Sequence, residues 1–437
     1  MSAKTDKLHA ASLWMAAMSK PAATQFKALA AVLADDIAIS SRSGKDEVLE
    51  WLGSWPGKSL IRTGTWLEPA VDGDEVHVKC MFDKKAAYYA GELTLSVDGD
   101  GIIRKASMLV LPAPQPLGGA IQRVWGPRRA VERLPDHLAD AHGITARKTT
   151  QLDNGVFKVE TKDDGPLVVR VFPADRPVAE VKGDAAVLGF LEQREFPAER
   201  CVAPVSTFEG QGVLVTGFVP GKQPTATLRN ASAMAGLLGR LHALKGAPKA
   251  VKREAGGLHL YSAGTSIRSE IDTAIRSLEA GAFRGTDKRY DALMVALHEA
   301  DDFAGLPVAL SHPDFHFKNM VATKDDLVPI DWAGAGTAPR VLALGFLLFY
   351  GSLVQTGWDP KRVGAIVASY LEHVPITDDE VDHLAGAMLH RMLIHEVYGW
   401  CVGMASQRKP GPAKEWPTNA PMCEAIAERV RGLIQRR

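Results

Sequence analysis

The sequence predicts an α+β protein made of two domains. With 437 residues, the chain is longer than one ordinary hydrophobic core can organise. Residues 111–119 read LPAPQPLGG, and three prolines with a Gly-Gly pair are typical of a linker. On both sides of this linker, segments with helical periodicity accompany blocks of consecutive strand-like runs. We therefore predict one domain over residues 1–115 and a second over residues 116–437, and we expect few contacts to cross between them.

The composition argues against two classes of partner. Basic and acidic side chains each number 51, so nothing points to nucleic acid or to an anionic membrane surface. No apolar run reaches membrane-spanning length. The four cysteines lie far apart without a C-x-x-C spacing, which favours buried free thiols in a reducing compartment over disulfides or zinc. The start of the chain has the pattern of a helix rather than a signal peptide, so we expect a cytoplasmic protein.

The first domain combines helices with a long series of strands. Helical periodicity covers residues 21–33 and 45–55. Strand-like runs separated by turn signals follow at residues 61–67, 75–82, 87–97 and 102–111. This order resembles the nuclear-transport-factor-2-like (polyketide-cyclase-like) cone fold, in which a curved sheet wraps over helices. The resemblance implies a ligand-binding module or a homodimer formed through this domain. We see no base, metal set or anion loop in it, and we expect it to be dispensable for chemistry.

The second domain is organised around residues 308–332, VALSHPDFHFKNMVATKDDLVPIDW. A short apolar run breaks into a polar loop that carries Asp314, and two further apolar runs flank a polar four-residue turn. This pattern predicts a β-hairpin. If its turn centres on residues 325–326, Asn319 lies opposite Trp332, with Asp331 beside it. The hairpin would then bring an amide and a carboxylate close to Asp314.

These side chains suit phosphoryl transfer, which needs a carboxylate to accept a hydroxyl proton and oxygen ligands to hold Mg²⁺. The pattern H-x-D-x-x-x-x-N followed by I-D-W, formed by His312, Asp314, Asn319 and Asp331, resembles the aminoglycoside phosphotransferase/choline kinase family, relatives of protein kinases. The resemblance covers roughly the last 300 residues. It implies a bilobal protein-kinase-like phosphotransferase fold, Asp314 as the base, and Asn319 and Asp331 as metal ligands.

Two other interpretations of this stretch stand beside that one. Aspartate and asparagine at loop ends often cap turns through side-chain to backbone hydrogen bonds. His312, Asp314, His316 and Asp331 could instead form a transition-metal cluster, which would make the protein a metal-dependent hydrolase. His316 lies between two phenylalanines, which favours packing over metal binding.

The small lobe is predicted over about residues 140–220, and the large lobe over about residues 221–437. In the family resemblance, Arg170 takes the place of the strand lysine that holds the phosphates, and its planar fork suits a bidentate contact. Asp184 takes the place of the helix glutamate that pairs with this cation. Because aspartate is one methylene shorter, Glu180 is the alternative partner. Residues 213–219 resemble the hinge between the lobes, where backbone groups around Thr216 and Phe218 would bind adenine.

The sequence departs from the family after the hairpin. Two carboxylates of the G-D-P…D-L-A stretch become Ala338 and Leu342 here, and residues 341–353 form a strongly apolar helix instead. The helical remainder, residues 360–437, has nearly balanced charges and would form the wall that binds the acceptor.

We interpret the chain as an ATP- and Mg²⁺-dependent phosphotransferase acting on a hydroxyl of a small aminoglycoside-, choline- or sugar-like acceptor. The alternative is a regulatory pseudokinase that binds nucleotide without turnover, fused to a ligand-binding cone domain.

Overall fold

The computed structural model describes residues 3–39, 42–54, 65–83, 88–110, 128–162, 165–255, 266–279, 288–324, 326–403 and 415–436. Its N-terminal part contains three helices, α1 (Ala3–Ser19), α2 (Ala23–Ala30) and α3 (Lys45–Ser54). Seven strands accompany them: β1 (Leu33–Ile39), β2 (Arg42–Ser43), β3 (Thr65–Trp66), β4 (Ala70–Asp72), β5 (Glu75–Asp83), β6 (Tyr88–Val97) and β7 (Ile103–Val110). The predicted helices and the three long strands are therefore confirmed, whereas the linker at residues 111–119 lies outside the described residues.

These strands form one mixed sheet with the order β2-β1-β7-β6-β5-β3, and β4 also pairs with β5. The β5–β6–β7 series is antiparallel, while β1 and β7 run parallel. In β6, Leu93, Leu95 and Val97 alternate toward the buried face, as period-two patterning requires. Trp14 of α1 is fully buried in the same apolar cluster, so the helices cover one face of the sheet.

The core of this N-terminal part is continuous with helices from later in the chain. One apolar cluster joins Trp14 and the buried strand residues to Leu278, Leu293 and Val397, which lie on three helices of the large lobe. Our expectation that few contacts cross between the domains is therefore wrong. The reason is that the sheet and its helices do not close their apolar core without these later segments.

The small lobe is a five-stranded antiparallel sheet with one helix before its first strand and one between its third and fourth strands. Its elements are α4 (Leu134–His142), β8 (Ala146–Asp153), β9 (Val156–Thr161), β10 (Pro166–Val171), α5 (Val178–Gln193), β11 (Ser206–Phe208) and β12 (Gln211–Gly217). Its strand order is β11-β12-β10-β9-β8. Leu134 and Leu138 of α4 pack on Val159, Val169 and Val215 in a small core of their own.

The large lobe is mainly helical. Its helices are α6 (Leu228–Ala243), α7 (Ile267–Glu279), α8 (Lys288–His298), α9 (Arg340–Ser352), α10 (Pro360–Leu371), α11 (Asp378–Asp382), α12 (Leu384–Gly403) and α13 (Glu415–Ile434). Three two-stranded sheets complete it, β13 (Val308–Ser311) with β16 (Gly336–Pro339), β14 (Met320–Ala322) with β15 (Leu327–Pro329), and β17 (Leu353–Val354) with β18 (Gly357–Trp358).

Helix α9 lies at the centre of the large lobe. It is apolar around nearly its whole circumference, which is typical of a helix surrounded by other helices. Its first residue, Arg340, is anchored by a bidentate ion pair with the buried Glu380 at 2.6 Å. Within the described part of the chain, no helix is long and apolar enough to cross a membrane.

Candidate active site

His312 fixes the loop that follows β13. Its Nδ1 accepts a hydrogen bond from the Asp314 backbone N–H at 3.0 Å, and its Nε2 lies 3.0 Å from the Ile330 carbonyl oxygen. A ring in which one nitrogen accepts a hydrogen bond and the other donates one is the neutral imidazole. Burial lowers the pKa of His312, which agrees with this neutral form. His312 therefore ties the Asp314 loop to the end of the hairpin.

The Asp314 carboxylate is oriented by two side chains. Its Oδ2 accepts a hydrogen bond of 2.7 Å from the Asn319 amide, and its Oδ1 accepts one from the Arg391 guanidinium. Arg391 also donates to the Pro313 carbonyl at 3.0 Å and lies 3.9 Å from the centre of the Phe346 ring. Because each carboxylate oxygen has more than one lone-pair site, this arrangement is compatible with a further bond from an acceptor hydroxyl.

Arg391 was not predicted from the sequence. It lies on α12, and 77 positions separate it from Asp314. Burial lowers the pKa of the Arg391 guanidinium, while the nearby charge of Asp314 opposes that shift.

The hairpin forms, but its register differs from the predicted one. Met320 pairs with Pro329 and Ala322 with Leu327. The Ile330 N–H donates to the Asn319 carbonyl at 2.9 Å, so Asn319 faces Ile330 and not Trp332. The cause is a turn centred one residue earlier than predicted, which is closed by a bond of 3.0 Å from the Thr323 N–H to the Asp326 carbonyl.

Asp331 follows the hairpin in a left-handed backbone conformation with φ of 66°. Aspartate is among the few residues that adopt this region, and such conformations cluster at functional sites. Its N–H donates to the carboxylate of Glu199 at 2.8 Å, which holds the backbone in place.

Asn319 and Asp331 fit a hard cation. The Asn319 amide nitrogen donates to Asp314, which leaves its carbonyl oxygen as the atom suited to a metal. An amide oxygen and a carboxylate are ligands that Mg²⁺ accepts while it keeps waters and phosphate oxygens.

The structure gives no support to a transition-metal cluster. Among the described residues, no group of three or more histidine, cysteine, aspartate or glutamate side chains is placed to hold a metal. The Nδ1 of His316 accepts a hydrogen bond from the Lys318 N–H at 3.2 Å, and its ring packs against Phe346 and Tyr350.

Arg170 of β10 is paired with Glu199 and not with Asp184, so the predicted pairing is wrong. Its Nη1 lies 2.8 Å from Glu199 Oε2, and its Nε lies 3.6 Å from Asp331 Oδ1. Glu199, which is 3% exposed, also accepts a hydrogen bond of 3.1 Å from Thr216. This glutamate therefore connects the small-lobe sheet with the backbone of Asp331.

Asp184 is fully buried and serves a different set of partners. It accepts hydrogen bonds from Arg253 and from the Gly334 N–H at 2.9 Å, and it lies 2.7 Å from Arg176 Nη2. Glu180, the alternative partner for Arg170, lies 3.5 Å from Arg176 instead. Both acids face these two arginines because of their position on α5. Asp184 thus links α5 to the segment after the hairpin.

The hinge prediction needs one correction. Thr216 is paired with Val168 on one side and bridged to Cys201 on the other, so its backbone lies inside the sheet and does not face a ligand. The Phe218 N–H donates to the Pro166 carbonyl at 3.0 Å. Because Pro166 has no N–H, it cannot donate a hydrogen bond to the Phe218 carbonyl.

Comparison with known proteins identifies the family of this chain. Residues 145–382, more than half of the chain, match the family described as "phosphotransferase enzyme family". No curated protein matches the chain.

Three solved structures are among those that are similar to this chain. An aminoglycoside phosphotransferase from Alicyclobacillus acidocaldarius is 15% identical, with a TM-score of 0.50 over 69% of this chain and 97% of that one. The amicoumacin kinase hAmiN is 13% identical, with a TM-score of 0.49 over 70% of this chain and 94% of that one. The choline kinase LicA from Streptococcus pneumoniae is 12% identical, with a TM-score of 0.44 over 69% and 99%. The family match shows that the chain belongs to the phosphotransferase enzyme family, a family of small-molecule kinases.

Proposed function

We propose that the protein transfers the γ-phosphoryl group of ATP, bound with Mg²⁺, to a hydroxyl of a small aminoglycoside-, choline- or sugar-like molecule. One observation carries the proposal: Asn319 orients the Asp314 carboxylate at 2.7 Å, while the same residue and Asp331 lie at the open end of one hairpin. A proton acceptor and two oxygen ligands thus lie within one short stretch, as this reaction requires.

Each residue has a defined task in the transfer. The acceptor oxygen forms a bond to the γ-phosphorus as the bond to the ADP oxygen breaks, and Asp314 takes the hydroxyl proton. Asn319 and Arg391 hold the carboxylate in one orientation. Arg170 would contact the phosphates, and the Phe218 carbonyl would accept a hydrogen bond from adenine. Asn319 and Asp331 would hold Mg²⁺, which when bound neutralises charge on the phosphates.

The N-terminal domain supports a second part of the proposal. Its helices and mixed sheet, with β1 parallel to β7, are compatible with the nuclear-transport-factor-2-like cone. We assign it a role in dimerisation or in restricting which acceptor enters, with its boundary near residue 115. A cytoplasmic location, without nucleic-acid or membrane partners, completes the proposal.

A regulatory pseudokinase is the second candidate. The observations that favour it are the ion pair of Arg391 with Asp314 and the replacement of two family carboxylates by Ala338 and Leu342. If Asp314 is the base, its carboxylate has to accept a proton while it is paired with the Arg391 guanidinium.

A turnover screen separates the two candidates, and Asp314→Asn then tests the base. The purified protein would be screened for ATP turnover against amino sugars, choline-like alcohols, nucleosides and antibiotics. On the best acceptor, Asp314→Asn should lower turnover by roughly two to four decades, the usual scale for a lost general base, without weakening nucleotide binding. Asp326→Asn, which changes an exposed acid on the same hairpin, is the control and should keep full activity. Nucleotide binding without turnover on any acceptor would favour the pseudokinase.

A further inference from the structure

A small cavity lies directly beside the Asp314 loop. It has a volume of about 80 Å³ and is lined by His312 and Pro313 of the loop, by Arg391, which contacts Asp314, and by apolar side chains such as Ile267 and Phe346. At roughly 30 Å³ for each water molecule, it has room for a few non-hydrogen atoms. It can hold one small substituent of a ligand whose remaining atoms extend toward the loop.

Two buried polar side chains line this cavity. Glu270, in the first turn of α7, and His390 of α12 are each 5% exposed, and Glu270 Oε2 lies 3.2 Å from His390 Nε2. Within the part of the chain that the structure describes, the other polar atom of each side chain, Glu270 Oε1 and His390 Nδ1, has no hydrogen-bond partner. A buried polar atom without a partner costs free energy and is uncommon in folded proteins.

The chemistry of these two atoms indicates a ligand that donates hydrogen bonds. If Glu270 is ionised and His390 is neutral with its proton on Nε2, then both Oε1 and Nδ1 are acceptors. An ammonium group has several N–H donors and no acceptor, which is the chemistry that two acceptor atoms require.

The charges around the cavity point to a cation. Glu270 and Asp314 are both acidic, and Arg391 is the cation that contacts Asp314. Among Glu270, Asp314 and Arg391, the acidic side chains outnumber the basic one by one. Since burying an uncompensated charge is costly, a monocation in the cavity would stabilise the site.

We propose that Glu270 and His390 bind a primary or secondary ammonium group of the acceptor, so that a compact, mainly apolar amino alcohol presents its hydroxyl to Asp314. This inference rests on the proposed function for the identity of the reacting group. It excludes quaternary ammonium acceptors, because they have no N–H to donate.

The test uses 2-amino-1-butanol, its N,N,N-trimethyl derivative and 1-butanol as probes. Binding of each to the full chain would be measured by calorimetry in the presence of Mg²⁺ and the ATP analogue AMP-PNP. The primary amine should bind at least tenfold more tightly than either of the other two probes. Glu270→Gln, which removes the charge at constant shape, should remove that preference, and His390→Gln should weaken binding of the amine severalfold.

The control is Asp272→Asn. Asp272 lies on the same helix and loses the same charge, but it does not line the cavity, so the preference for the amine should persist. The proposal is overturned if the three probes bind alike, if the wild type binds no amine, or if Glu270→Gln keeps the preference. AMP-PNP affinity and thermal unfolding, measured for every variant, report on the nucleotide site and on folding. If the wild type does not bind AMP-PNP, that result contradicts the proposed function instead.

Discussion

Glu199 is the residue whose replacement tests the site most directly. Its buried carboxylate contacts Arg170 at 2.8 Å, the Thr216 hydroxyl at 3.1 Å and the Asp331 N–H at 2.8 Å. Glu199→Gln preserves the size of the side chain but replaces one oxygen by an NH₂ group. That group must face either Arg170 or the Asp331 N–H, both of which are donors.

The expected loss of stability follows from these contacts. Removing one partner of a buried ion pair costs about 3–5 kcal/mol. Glutamine keeps one acceptor, and Asp331 Oδ1, at 3.6 Å from Arg170 Nε, still supplies a counter-charge. We therefore expect the free energy of unfolding to fall by about 2–3 kcal/mol. Loss of the bond that holds the left-handed backbone of Asp331 should also weaken Mg²⁺–nucleotide binding about tenfold, the equivalent of one charge-assisted hydrogen bond.

Urea unfolding followed by tryptophan fluorescence measures the first quantity, since Trp332 is 1% exposed and lies next to Asp331. Titration with AMP-PNP and Mg²⁺ measures the second. Glu192→Gln is the matched control, because Glu192 forms an exposed pair with Arg200 at 3.2 Å and should contribute less than about 1 kcal/mol. If Glu199→Gln unfolds and binds nucleotide like the control, Glu199 does not connect the lobes in the way the structure indicates.

Three further predictions follow from the site and from the contact between the domains. Asp331→Ala should abolish Mg²⁺-dependent nucleotide binding and His316→Ala should preserve it; bound zinc in the wild type that His316→Ala loses would contradict this. The pKa of Glu50 is raised from 4.5 to about 7, first by its hydrogen bond with Glu132. The hydrogen bond of protonated Glu50 with Glu132 therefore stabilises the fold fully below pH 4.5, and this stabilisation is lost as pH rises through about 7. Glu132→Gln should make the free energy of unfolding in urea depend less on pH. A chain that begins at residue 120 should aggregate or unfold at a lower temperature than the full chain, because Val397 and its neighbours lose their cover; a fully stable truncated chain would refute this.

The predictable part of the site is local in sequence. Its four residues lie within one loop and one hairpin, namely His312, Asp314, Asn319 and Asp331. Their spacing and the turn signal were therefore enough to predict that they lie close together. Even there, a shift of one residue in the turn changed the partner of Asn319, because register depends on turn geometry.

The contacts that sequence reasoning missed are long-range. Glu199 is 132 positions from Asp331, Arg391 is 77 positions from Asp314, and His390 is 120 positions from Glu270. No periodicity or motif links such positions, because only tertiary packing brings them together. Asp184 was assigned from the family resemblance, but the partner of a helical side chain depends on the face that it occupies.

The apolar cluster shared by the two domains has a consequence for synthesis of the chain. The N-terminal sheet is complete once Val110 has been made, but Val397, which packs in the same cluster, follows about 290 residues later. At a synthesis rate of about 5–20 residues per second, Val397 is made roughly 15–60 s after Val110. During this interval its apolar face is open to solvent and to other nascent chains. Correct folding in the cell should therefore depend on chaperones that bind early, and on the rate at which the ribosome translates the second half of the message.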